Sequence, residues 1–330
     1  MSTRVANLIK RASMGKPKQY NILTFPTHER FETDLCKTGH NFYAFTTQGM
    51  KQWDNSYAPT PENYYILPEG SIYQGIHFDF ILANSKFGQL QVAHQINQRL
   101  NIPIISMEVT VPIPDWPDDH LNSLRSMVGD INVFLTEHSR KQWNIDSDSL
   151  VVPHMVDTDL FKPDQQAERG QHVLSVANDF INRDYCLNYS GWRRITNGLP
   201  TKLLGKTEGL SEPAASTEDL VKAYNQCSVF FNSSTFSPIP TVLLEAMSCG
   251  CAVVTTETCE IPAIIEHGRN GLMSNDENEL RSYLQELIKD PHLRNKLGTE
   301  ARQTIIDRFS EKSFIDNWNS VFSTAFNMGT

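Results

Sequence analysis

Residues 230–250 read Phe230-Phe231-Asn232-Ser233-Ser234-Thr235-Phe236-Ser237-Pro238-Ile239-Pro240-Thr241-Val242-Leu243-Leu244-Glu245-Ala246-Met247-Ser248-Cys249-Gly250, and this stretch decides the fold. An apolar run of strand length passes into a loop rich in hydroxyl side chains and then into a short helical segment. Pro238 and Pro240 suit a first helical turn, where a missing N–H has no partner to lose, and Gly250 suits the left-handed position just past a helix end. Strand, polar loop and helix N-terminus together predict an anion site at the carboxyl end of a sheet strand. Its donors are the helix amides and the hydroxyls of Ser233, Ser234, Thr235 and Ser237. Glu245 lies among Leu243, Leu244, Ala246 and Met247, so its carboxylate needs a partner, and the vicinal diol of a ribose is a suitable one.

Outward from this stretch, apolar runs alternate with helical ones. Strands are expected at 172–176, 201–204, 229–232, 252–255 and 271–273, with helices at 217–224, 241–248 and 278–287 between them. A first series precedes it, with strands at 20–25, 41–45, 78–82, 102–107, 131–135 and 150–152 and a helix at 86–100. The fold class is α/β, two Rossmann-like parallel-sheet domains facing a cleft, and 330 residues suit two such domains. The polar, proline-bearing stretch 157–171 is the joint, giving an N-terminal domain over 1–160 and a C-terminal one over 161–330. The final segment, 297–326, has helical periodicity and is expected to pack back on the first domain.

The chain has 29 basic and 38 acidic residues, a net charge of −9, which gives no general attraction for nucleic acid or an anionic membrane. No run approaches the length of a membrane span, and residues 1–19 form a basic, polar start without a signal-peptide core, so a cytoplasmic location is expected. Six cysteines lack the paired spacing of a zinc site and read as reduced, small half-buried thiols.

The segment Leu243-Leu244-Glu245-Ala246-Met247-Ser248-Cys249-Gly250 resembles the signature of the family 4 glycosyltransferases, which have the two-Rossmann-domain GT-B architecture. That signature is a glutamate, seven residues and a second glutamate. Val151-Val152-Pro153-His154-Met155-Val156-Asp157 through Phe161-Lys162-Pro163 looks like the family segment that ends the first domain, and Ile261-Pro262 to Asn270-Gly271 looks like its loop after the next strand. The resemblance implies that Glu245 binds the ribose of a nucleotide sugar, and that Ser234, Thr235, Thr241 and Val242 belong to the same nucleotide pocket. It implies a glutamate contact to the donor sugar at position 237, where this chain has Ser237. In the basic pair that grips the diphosphate, Asn178 replaces the usual arginine and Arg183 falls at the lysine position; Lys206 is a second candidate for that charge. Ala263 stands where a glutamate is usual.

In the first domain the strand at 20–25 runs into Pro26-Thr27-His28-Glu29-Arg30-Phe31, where the family commonly has a glycine-rich loop. Polar side chains at a strand's carboxyl end suit an acceptor or the donor's phosphates. His28 is therefore a catalytic candidate beside Arg183 and Ser237, and Glu29, Arg30 and Glu108 are acceptor-side candidates. Trp53, Trp116 and Trp192 suit sugar stacking or buried packing equally.

The resemblance implies transfer from a nucleotide-diphosphate sugar with retention at the anomeric carbon, without a metal or a protein nucleophile. Helix amides and positive groups would stabilise the leaving diphosphate. The acceptor stays open between a saccharide, a lipid-linked sugar and, as in phage-type transferases, modified DNA bases, which the acidic charge disfavours. The oligomeric state stays open too. Ser237, Asn178 and Ala263 motivate a rival reading, a nucleotide-sugar-binding protein that has lost turnover. A phosphorylase- or phosphatase-like enzyme on the same scaffold is a further alternative.

Overall fold

The computed structural model describes residues 18–55, 57–145 and 149–329. Residues 1–17 of the polar start read at 1–19 lie outside them.

Two parallel sheets organise the chain. The first has seven strands, β1 (Asn21–Thr24), β2 (Asn41–Ala44), β3 (Tyr64–Ile66), β4 (Phe80–Ala83), β5 (Ile104–Glu108), β6 (Ile131–Phe134) and β7 (Ser149–Val151), in the order β3-β2-β1-β4-β5-β6-β7. The second has five, β8 (Val173–Val176), β9 (Thr201–Leu204), β10 (Val229–Asn232), β11 (Ala252–Thr255) and β12 (Leu272–Met273), in the order β12-β11-β10-β8-β9. The expected α/β class with two Rossmann-like sheets is what the chain adopts.

By contact the chain forms two compact units. One holds the described part of Met1–Met107 with Gly129–Ile131 and Trp318 onward; the other holds Glu108–Val128 and Asn132–Asn317. In the first unit Ile22, Phe42 and Phe80 from the sheet are buried together with Trp318 and Phe322 of the C-terminal helix, and the Phe80 and Phe322 rings stack with centroids 5.4 Å apart. His40 Nε2 meets Asn319 Oδ1 at 2.9 Å on the same surface.

In the second unit β10 and β11 are buried along their whole length, because helices cover both sheet faces. The strand period of two sends Phe230 to one face, with Leu243, Met247 and Ala301, and Phe231 to the other, with Trp192, Leu284 and Leu297. Trp192 is thus a core residue, its Nε1–H donated to Ser175 Oγ at 2.9 Å.

Three local expectations change. Pro240 is the N-cap of the helix Thr241–Ser248, with ψ 116°, and Pro238 lies in the loop before it, so neither proline is inside the first turn. The helix expected from residue 86 begins at Gln89, after Gly88. The periodic C-terminal segment is two helices, Pro291–Arg308 and Glu311–Met328, interrupted at Phe309.

Candidate functional site

The order β12-β11-β10-β8-β9 has one reversal. From β8 the chain moves outward to β9, then returns to the opposite side of β8 for β10 and continues to β11 and β12. Loops leaving the carboxyl ends of β8 and β10 therefore diverge, and such a switch point is where open α/β sheets bind ligands. Arg183 follows β8, residues 233–240 follow β10, and Lys206 follows the neighbouring β9.

Hydrogen bonds hold these loops as one surface. Asn178 Oδ1 accepts from the Lys206 N–H at 2.8 Å, and the Asp179 N–H donates to the Lys206 carbonyl at 2.8 Å. The residue in place of the family arginine thus ties the β8 loop to the β9 loop. Gly205 makes that tie possible: its φ is +113°, and a Cβ there would lie 2.0 Å from the Ala177 carbonyl oxygen. The Thr235 and Phe236 amides both donate to the Cys186 carbonyl, at 3.0 and 3.1 Å, and Ser233 Oγ donates to the Leu187 carbonyl at 2.8 Å. These bonds fasten the β10 loop to the short helix Asp184–Leu187, which Arg183 begins.

They also correct the expected donor set. The amides of Thr235 and Phe236 are consumed inside the protein, and so is the Ser233 hydroxyl. What the loop leaves over is the first turn of Thr241–Ser248. Leu243 and Leu244 donate back to the Pro240 carbonyl, whereas the Thr241 and Val242 amides have no partner among the described residues. Both residues are partly exposed. Ser234 is buried, and its carbonyl accepts from Thr256 Oγ1 and from Thr258 Oγ1 at 3.1 Å, so the β11 loop braces it. Thr235 is exposed and Ser237 half-buried. The Ser237 backbone is a hydrogen-bond partner of the Cys259 thiol, whose pKa burial raises, and Cys259 itself sits at φ +52°.

Glu245 is 4% exposed, the fourth residue from the end of a helix whose Leu243, Leu244, Ala246 and Met247 are fully buried. Its Oε2 accepts from the Tyr224 hydroxyl at 2.9 Å. Gly250, at φ +69°, ends this helix as expected, and Arg169 and Arg302 donate to the carbonyls of Cys249, Gly250 and Ser248. Arg183 and Lys206 have exposed side chains, and among the described residues neither has an ion-pair partner. Asp184 is turned away from Arg183: it accepts from the Ser190 N–H at 2.8 Å and Ser190 Oγ at 2.7 Å, which lowers its pKa.

The remaining candidates stand elsewhere. His28 caps the helix Glu29–Cys36, its Nδ1 accepting from the Phe31 N–H at 3.4 Å. Desolvation, then Lys51 and Arg30, lower its pKa below 6.5, so the neutral ring carries its proton on Nε2 and presents a donor there. Glu29 is 3% exposed and its carboxylate is engaged by Lys51 Nζ at 2.7 Å and the Asp54 N–H at 3.1 Å. Arg30 is half-buried. Glu108 is buried at the end of β5, with Thr110 N–H and Oγ1 donating to its Oε1 at 2.9 and 2.6 Å.

Two residues at the site escaped the sequence reading, Tyr224 and Cys259. Tyr224 reads as an ordinary apolar position near a helix end. Cys259 betrays its conformation by no local signal, since a left-handed non-glycine outside Asn and Asp is uncommon. Among the described residues no group of three or more His, Cys, Asp or Glu side chains is placed to hold a metal ion. Of the six cysteines, Cys36, Cys186, Cys227, Cys249 and Cys251 are buried and Cys259 is partly so; all are free thiols.

Comparison with known proteins agrees with this architecture. Residues 213–304 match the family model for glycosyl transferases group 1. N-acetyl-alpha-D-glucosaminyl L-malate synthase of Bacillus anthracis is 29% identical over 83 residues, 24% of this chain and 22% of that protein. Alpha-maltose-1-phosphate synthase of Mycolicibacterium smegmatis is 30% identical over 102 residues, 28% of this chain and 26% of that protein. The chain thus spans about a quarter of the length of these curated relatives. Over nearly the whole chain the fold is that of sucrose-phosphate synthase from Thermosynechococcus elongatus, with a TM-score of 0.75, 14% identity and coverage of 94% of this chain and 100% of that one. HepE of Anabaena, solved with UDP and glucose, gives a TM-score of 0.73 at 13% identity, covering 93% and 100%. The fold is GT-B, and residues 213–304 are similar to glycosyl transferases group 1. The resemblance read from Leu243 to Gly250 agrees with this similarity, which does not separate family 4 from group 1. No helix among the described residues is long and apolar enough to cross a membrane.

Proposed function

We propose that the chain is a retaining glycosyltransferase that moves a sugar from a nucleotide diphosphate to an acceptor hydroxyl without a metal. The observation that carries this reading is the grouping at the β8/β10 switch point of the buried Glu245 carboxylate, the unpaired Thr241 and Val242 amides and the exposed cations Arg183 and Lys206. Glu245 holds the ribose diol, and the two amides hold the diphosphate at the positive end of the helix. Arg183, with Lys206, counters the charge that grows on the leaving group. The bond from the anomeric carbon to the diphosphate oxygen breaks, the acceptor oxygen bonds on the same face, and the acceptor proton passes to the departing phosphate oxygen. Ser237 lies on the donor sugar's side, and His28 and Arg30 serve the acceptor. Glu29 and Glu108 hold those loops in shape through the hydrogen bonds each already makes.

The direct test is incubation with a panel of nucleotide sugars, UDP-glucose first because HepE was solved with UDP and with UDP-glucose. Release of nucleoside diphosphate in the presence of a chelator, and product with the donor's anomeric configuration, are expected. Inverted product, or turnover that stops with chelation, contradicts the reading. Ser237, Asn178 and Ala263 favour one rival, a nucleotide-sugar-binding protein without turnover. Under it a nucleotide at 100 times its Kd still stabilises the fold by about 2.7 kcal/mol, yet no donor is hydrolysed or transferred. The acceptor is a saccharide or lipid-linked sugar, with modified DNA the less favoured choice for a chain of net charge −9.

A further inference from the structure

We infer that Tyr224 is a positioning residue for nucleotide binding: its buried hydroxyl fixes the Glu245 carboxylate in the orientation that accepts a ribose diol. The inference rests on the ribose assignment of Glu245 made above. Tyr224 lies in the last turn of the helix Thr217–Gln226 and is 0% exposed, so it acts on a ligand only through another side chain. Its hydroxyl donates to Glu245 Oε2 at 2.9 Å.

Both ends of Tyr224 are held. The ring packs edge-on against Phe230 at 5.7 Å and Phe161 at 6.3 Å. The backbone carbonyl accepts from Arg169 Nη1 at 3.1 Å, Cys251 Sγ at 3.1 Å and Cys227 Sγ at 3.3 Å. The hydroxyl is therefore a fixed donor on a rigid element, whereas a glutamate has three side-chain torsions to order. Glu245 has fully buried apolar neighbours on its own helix. A carboxylate in that setting that is pinned before the ligand arrives loses less freedom when a diol binds, and preorganisation of this kind appears as affinity. The diol meets the carboxylate in the bound donor and in the transition state alike, so the effect belongs to KM and leaves kcat nearly unchanged.

The probes are the tightest-binding of UDP, ADP, GDP and CDP and its 2′,3′-dideoxy counterpart, titrated calorimetrically into the full chain. Tyr224→Phe keeps the ring and removes one hydrogen bond to a charged acceptor, so it is expected to weaken the ribonucleotide about tenfold. The dideoxy analogue, which has no diol to present, is expected to change less than about twofold, and turnover is expected to show the loss in KM. A loss of equal size for both nucleotides means that the hydroxyl only supports packing and overturns the inference, as does no loss for either. Glu245→Ala separates this failure from failure of the ribose reading. If that variant discriminates between the two nucleotides no less than wild type, the ribose assignment falls. If it loses the discrimination while Tyr224→Phe keeps it, only the role of Tyr224 falls. Should Tyr224→Phe not fold, the wild-type chain labelled with ζ-13C-tyrosine gives the same answer. The Tyr224 resonance is expected to shift with the ribonucleotide and stay fixed with the dideoxy analogue, and an unmoved resonance in both overturns the inference.

Discussion

Each sheet reverses its strand order once, between β8 and β10 in the second and between β1 and β4 in the first, yet the two carboxyl ends use their polar groups differently. After β1 and β4 most of the groups pair with one another, although Glu32 Oε2 and Asn84 Oδ1 are buried without a hydrogen-bond partner among the described residues. Lys51 neutralises Glu29 at 2.7 Å, and Glu32 Oε1 accepts from the Thr27 N–H at 3.1 Å and Asn84 Nδ2 at 3.2 Å. Gln89 Nε2 reaches Thr27 Oγ1 at 2.7 Å. After β8 and β10 the loop amides and hydroxyls also pair internally, but they leave two helix amides and two exposed cations over. The same topology provides two switch points, and the helix amides and exposed cations left over at the second suit a diphosphate.

The largest effect that would break this comparison comes from Gly205. Replacing it with alanine at φ +113°, against a carbonyl oxygen, is expected to destabilise the second unit by on the order of 3 kcal/mol. Thermal unfolding with and without nucleotide checks it. An unchanged midpoint would mean that the β8 and β9 loops are not held together as described.

Arg183→Ala is expected next, lowering kcat by on the order of a hundredfold with little change in donor KM, since leaving-group charge grows toward the transition state. Steady-state kinetics separate the two constants. Equal kcat would assign the charge to Lys206 or to the Thr241 and Val242 amides.

The third test concerns the end after β1 and β4, where Glu32 Oε2 is buried without a hydrogen-bond partner among the described residues. Burial raises the Glu32 carboxyl from 4.5 to about 8, so the folded chain keeps a proton that the unfolded chain releases near 4.5. Between those values the folded state binds more protons, and stability falls as pH rises, at up to about 1.4 kcal/mol per pH unit. Glu32→Gln is expected to flatten denaturant-measured stability over that window and to raise it at pH 8 relative to wild type. A profile of unchanged slope would show that Glu32 is ionised in the folded protein.

Smallest is Ser237→Glu, which places a longer, charged side chain beside the donor sugar. If Ser237 is an adaptation to the donor, transfer falls modestly. A gain of turnover across a panel of hexose donors would instead indicate a decayed pocket and favour the binding protein.

Most of the second sheet was legible in the sequence. The four-residue apolar runs of β10 and β11, buried on both faces, stand out, and with the more exposed edge strand β9 they coincide with the expected segments, as does the helix Thr241–Ser248. β3 was not legible: it is an edge strand on which Tyr65 and Ile66 are exposed, so no buried run announces it. The proline reading slipped because Pro240 caps the helix instead of entering it, and both positions satisfy the same absence of an N–H. At the site, Glu245 was legible from its apolar neighbours. Which amides would be spent was not, because the Cys186 carbonyl that takes those of Thr235 and Phe236 lies about 50 residues earlier in the chain. Tyr224 was hidden for the same reason: its partner is a side chain on another helix.

The central claim is that Glu245 receives a ribose diol at the β8/β10 switch point, and calorimetric titration of wild type and Glu245→Ala with UDP, ADP, GDP and CDP tests it most directly. The account predicts that at least one of them binds wild type with one-to-one stoichiometry. It predicts that Glu245→Ala, still folded, binds it at least about tenfold more weakly, as expected for hydrogen bonds to a charged group of roughly 1.5–3 kcal/mol. Equal affinity in the two proteins, or no binding of any nucleoside diphosphate to wild type, would contradict it.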